Sequence, residues 1–158
     1  METVYDKPYK IFGIILSFTV AIILNVYPLS VGMAPLRPMF IMMVLIFWLI
    51  FQPQLIGLFF AFFIGLIADM LLDTVLGQQA FCSVLMALVI RISSLYIRQI
   101  NQTNAWFLAC LCLLTFQCSL WALQLFSQNI FVSASAISLL MSMLSWPIIM
   151  WFLGRFVK

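Results

Sequence analysis

The chain is short, at 158 residues, and 66% of it is apolar while only 7% is charged. An ordinary soluble domain is about 45–50% apolar and about 25% charged, so this composition excludes a water-facing globule and makes lipid the solvent for most of the length. The net charge of +3 fits anchoring at an anionic inner leaflet, and no basic patch for nucleic acid is present.

Six apolar stretches lie between the polar and proline-containing breaks: Ile11–Leu29, Met39–Phe51, Leu55–Leu72, Ala80–Ile97, Ala105–Phe126 and Ile137–Leu153. A spanning helix needs about 20 residues, within a range of about 17–25. The first stretch is long for the apolar core of a secretory signal and no A-x-A site follows it, so it reads as a retained helix. The second is short for a span. Pro38 suits a first helical turn, which would start that helix near Arg37; still short for a span, it either sits among other helices where the bilayer is thinned or leads into a tight hairpin that holds Pro53. Runs that are apolar on every face argue against a barrel, and open strands would leave backbone groups unpaired in lipid. The expected fold is therefore all-α, a polytopic membrane protein of six transmembrane helices forming one domain over residues 1–158. Lys7, Lys10, Arg91, Arg98, Arg155 and Lys158 then share one side and only Arg37 faces the other, which places both termini in the cytoplasm.

The third stretch carries the strongest pattern. Gly57, Ala61, Gly65, Asp69 and Asp73 recur every four residues and share one helix face. Small residues there let a second helix approach closely. The acidic pair reads either as the wet end of a packing stripe or as a site, because a carboxylate in a span usually has a partner or a purpose. Arg37 precedes Pro53 by sixteen residues and Asp69 follows it by sixteen. Both should rise about 24 Å from the turn, so an Arg37–Asp69 pair at the outer face is expected, with Asp73 beside it.

Farther along, Arg91 lies within the fourth stretch and can snorkel to the inner surface. With Arg98 it could mark a cytoplasmic contact for a partner or a lipid headgroup. Cys82, Cys110, Cys112 and Cys118 all fall inside spans, where they read as small packing residues. Without histidine or a C-x-x-C pair, no metal site or cysteine catalysis is expected, and no cofactor is implied. Gln117, Gln124, Ser138, Ser142 and Ser145 suit hydrogen bonds between helices, and Pro147 should bend the last helix. No nucleophile–base arrangement is visible, so an enzyme is not expected.

Taken in order, Arg37-Pro38, an apolar helix with Trp48, Gly57, the run Gly65-Leu-Ile-Ala-Asp69, Leu76-Gly77 and Trp146-Pro147 resemble the MreD family of rod shape-determining membrane proteins. The resemblance covers nearly the whole chain; the Met-rich stretch Met39–Met43 departs from the Leu, Val and Ile expected there. It implies a non-enzymatic subunit of the bacterial elongation complex, in the inner membrane. The implied partners are MreC, then RodA with its transpeptidase, and MreB. It also implies a fold resembling the substrate-binding subunit of energy-coupling-factor transporters. The competing reading is a transport subunit for a small molecule or lipid, with Arg37, Asp69 and Asp73 at the mouth of an enclosed pocket of about 300–1,000 Å³.

Overall fold

A computed structural model describes residues 6–27, 37–72, 74–96, 102–128 and 134–157. Six α-helices account for nearly all of them: α1 Asp6–Val26, α2 Phe40–Phe51, α3 Leu58–Leu71, α4 Gln78–Tyr96, α5 Gln102–Gln128 and α6 Ala134–Val157. Their positions match the six apolar stretches, with ends shifted by a few residues. α6 continues through Pro147. Pro38 lies two residues ahead of α2 rather than in its first turn.

The short helix α2 is the centre of the bundle. It packs against all five other helices, and every residue from Ile41 to Ile50 is buried. Twelve residues rise only about 18 Å, against a hydrocarbon core of about 30 Å. A short helix is tolerable here because protein, not lipid, surrounds it. Its near-uniform apolarity has the same cause, since no face of it needs to meet water or headgroups.

The other helices turn one side to α2 and the other outward. Phe59 of α3 is 85% exposed and Phe126 of α5 is 93% exposed, with Met70, Leu144 and Ile148 also bare. A soluble monomer rarely leaves so much contiguous apolar surface uncovered. Two helices, over Thr103–Phe126 and Ser135–Arg155, are long and apolar enough to cross a membrane. The remaining four contain shorter apolar segments.

The direction of each helix follows from one shared cavity. Asn25 near the end of α1, Arg37 before α2, Ala68 near the end of α3, Gln79 at the start of α4, Leu120 in the later half of α5 and Ser138 near the start of α6 all line it. Successive helices therefore alternate in direction. Arg37 marks one end of the bundle. The turn at Pro53, the start of α1 and the end of α6 lie at the other.

Polar cross-links tie the core helices together. The indole N–H of Trp48 donates to Ser17 Oγ at 2.8 Å, both side chains being buried. The backbone N–H of Met39, ahead of α2, donates to Ser142 Oγ of α6 at 2.8 Å. A helix start leaves unpaired donors, and α6 supplies one of the missing acceptors. At the Pro53 end the Arg155 guanidinium sits 4.7 Å from the centre of the Trp151 ring, a cation–π contact suited to a membrane boundary.

Candidate functional site at the Arg37 end

Asp69 is the most deeply buried charged residue described, at 1% exposure. It lies near the end of α3, and the chain must then reverse into α4 within a few residues. Its carboxylate organises that reversal. Oδ1 accepts from Thr74 Oγ1 at 2.9 Å and from the Gln79 N–H at 2.8 Å. Oδ2 accepts from the Gly77 N–H at 2.9 Å and from the Ala80 N–H at 3.2 Å. Gly77 adopts φ +93°, a left-handed conformation that glycine enters without penalty. Asp69 thus caps α4 from outside that helix. Its negative charge faces the positive end of the α4 dipole, and its lone pairs serve donors that would otherwise be orphaned.

The same face of α3 holds α4 at backbone contact. A Cβ at Gly65 would overlap Ala80 Cα and Ser83 Oγ, and would come within 2.8 Å of the Ala80 nitrogen. Ala61 and Ala80 are fully buried, and Ser83 Oγ donates to the Ala61 carbonyl at 2.8 Å. Gly57 plays no part in this contact. It lies just before α3 rather than in it, and a Cβ there would meet nothing within 4 Å. The four-residue rhythm that placed it on the helix face ends where the Pro53 turn ends.

Arg37 straps α1 to the start of α2. Its Nη1 donates to the Asn25 carbonyl and its Nη2 to the Tyr27 carbonyl, while its own carbonyl accepts from Ser138 Oγ of α6 at 2.5 Å. Its Nε is buried without a partner. The expected Arg37–Asp69 ion pair is not formed among the described residues. The two residues do lie at the same end of the bundle. However, α3 packs mainly on α4 and only slightly on α2, so Asp69 is turned toward the backbone donors of α4. Four donors already occupy its oxygens. Asp73, the third member of the expected group, lies outside the described residues.

The cavity at this end has a volume of about 260 Å³, just below the range of about 300–1,000 Å³ usual for small-molecule sites. At the Pro53 end, Arg91 is exposed. It lines a second cavity of about 290 Å³ together with Pro53, Gly57 and Ser94. Arg98, expected to join it, lies outside the described residues. No cluster of three or more His, Cys, Asp or Glu occurs among the described residues.

Ser17, which bonds Trp48 across 31 residues, carries no signal in the sequence. Ser142, expected to bond between helices, does so by accepting from the Met39 N–H across 103 residues, a separation that leaves no local pattern for the partner. Gln117 was marked for an interhelical bond, and its Nε2 donates to Ser135 Oγ of α6 at 2.9 Å. The capping role of Asp69 had one faint signal, the Leu76-Gly77 turn eight residues on.

Comparisons with known proteins bear on this arrangement. The family model described as rod shape-determining protein MreD matches residues 7–156. A rod shape-determining protein MreD from Haemophilus influenzae is 32% identical over 69 residues, covering 44% of this chain and 43% of that protein. No solved structure matches. A family match running almost end to end bears out the resemblance carried by the Arg37-Pro38, Gly65 to Asp69 and Trp146-Pro147 motifs, and the chain belongs to the MreD family of rod shape-determining membrane proteins.

Proposed function

We propose that this chain is a non-enzymatic scaffold of the bacterial cell-wall elongation complex. It would act with MreC in the inner membrane to regulate cell shape and peptidoglycan synthesis, with RodA, its transpeptidase and MreB as further members of the assembly. In this reading the six helices are six spans of one domain, built like the substrate-binding subunit of an energy-coupling-factor transporter. Alternating helix directions, and the gathering of the start of α1, Arg91 and Arg155 at the Pro53 end, support cytoplasmic termini under the positive-inside rule.

The observation that carries the proposal is the use made of Asp69. In a membrane protein a buried carboxylate is first a candidate for proton transfer or ligand binding. Here all four of its hydrogen bonds go to the turn and first residues of α4. Charge at this end shapes the bundle, which is what a scaffold needs. A transport subunit calls for an enclosed pocket, and a half-open cavity of about 260 Å³ is a poorer fit to that reading.

The test is replacement of the native protein in a rod-shaped host by wild type or by Asp69→Ala. Wild type should keep cells rod-shaped and copurify with MreC. The variant should give rounded cells and lose MreC. Rod-shaped cells with the wild-type yield of MreC would contradict the proposal. A reporter at the C-terminus checks the topology separately and should behave as cytoplasmic.

A further inference from the structure

The cavity at the Arg37 end contains an unsolved electrostatic problem. Asn25, Arg37, Gln79 and Ser138 contribute its polar lining, with Ile41 and Phe116 among the apolar walls. Of the five donors on a guanidinium, two hydrogen bonds to backbone carbonyls are formed, and Nε is buried with nothing to receive it. Those carbonyls are neutral, so they orient the group without cancelling its charge. Asp69, the nearest acidic residue described along α3, is fully engaged with α4. Among the described residues no acidic group pairs with this half-buried cation, and such a charge is costly in a low-dielectric setting. A water molecule could satisfy Nε, but it would leave the charge uncompensated.

We propose that this cavity binds an anionic phosphate group, either the headgroup of an acidic phospholipid or a free phosphate. Three observations converge on that ligand class. The strap to Asn25 and Tyr27 fixes the guanidinium in place, and planar guanidinium groups suit phosphate oxygens well. Gln79 borders the same space and brings a further donor to it, while Ser138 beside it holds the Arg37 carbonyl. The volume of about 260 Å³ accommodates a phosphate with a small substituent and excludes the larger ligands of transport subunits. The cavity is open on one side and lies where α1 ends and α2 begins, level with the headgroups if the helices span the bilayer. Anion binding there would lock α1 to α2 and α6 through Arg37. The inference does not depend on which proteins the scaffold joins.

The test uses the full chain in nanodiscs. In one arm, phosphatidylcholine discs are compared with discs containing phosphatidylglycerol. In the other, inorganic phosphate is titrated into phosphatidylcholine discs. Thermal unfolding and native mass spectrometry report binding. Wild type should be stabilised in at least one arm, and which arm responds identifies a lipid headgroup or a free anion. Arg37→Gln should bind about tenfold more weakly, because a charge-assisted hydrogen bond is lost. Gln79→Leu keeps the backbone bond to Asp69 and should bind a few-fold more weakly. It serves as the deciding variant if Arg37→Gln does not fold. No stabilisation of wild type in either arm, or equal binding by wild type and both variants, would overturn the proposal.

Discussion

The two turns that bound α3 are built in opposite ways. At the Arg37 end, α3 passes into α4 through a segment held by a buried carboxylate, a left-handed glycine and a backbone-to-backbone contact at Gly65. At the Pro53 end, α2 passes into α3 through a turn closed by backbone bonds from Leu55 and Ile56 to the Gln52 carbonyl. There Gly57 faces open space and a cavity remains beside Arg91. The first turn depends on particular side chains and the second depends on proline geometry. Substitutions should therefore be costly at one end of α3 and tolerated at the other.

The largest effect should come from exchanging the two charges. The double variant Arg37→Asp with Asp69→Arg should recover less than about 0.5 kcal/mol relative to the sum of the singles, because the residues have separate partners. Thermal unfolding of all three variants measures this, and a clear recovery would mean that the two groups do pair.

Next in size is Asp69→Ala. It leaves the N–H groups of Gly77, Gln79 and Ala80 without their acceptor and should cost about 3–5 kcal/mol. By the scaling known for soluble domains of this length, that is on the order of 10 °C in unfolding midpoint. Unchanged stability would remove Asp69 from the turn.

The glycines then form a graded series. Gly65→Leu should cost about 3 kcal/mol or prevent assembly, since overpacking here meets backbone. Met70→Ala, on a face 77% exposed, should cost far less. Gly77→Ala should cost about 1–2 kcal/mol from its left-handed backbone alone, having no steric neighbour within 4 Å. Gly57→Ala should stay within about 0.5 kcal/mol. Urea or thermal unfolding in one detergent ranks the four, and a large cost at Gly57 would break the contrast between the turns.

The helices were legible because apolar runs between Pro and polar breaks report span and order directly. The special status of Asp69 was legible too, since a carboxylate is conspicuous in such a run. Its partner was not. Counting residues from Pro53 placed Arg37 and Asp69 at the same end but said nothing about direction around the helix axis. That direction is decided by which neighbour α3 packs against. Small residues at 61 and 65 face α4 because Ala80 and Ser83 meet them there, and no feature of α3 alone names α4 over α2. The Ser17–Trp48 and Met39–Ser142 bonds join residues far apart in the chain, where periodicity carries no information. The burial of α2 on all sides was half legible. Its shortness and unbroken apolarity hinted at an interior position, but only the arrangement of the other five helices explains it.

The most direct test of the claim that Asp69 works inside the fold is amide hydrogen exchange at the start of α4. The Gly77, Gln79 and Ala80 amides should be protected in wild type. They should exchange markedly faster in Asp69→Ala and remain protected in Arg37→Gln. Persistent protection in Asp69→Ala, or equal loss in Arg37→Gln, would contradict the account and return the two charges to a shared role.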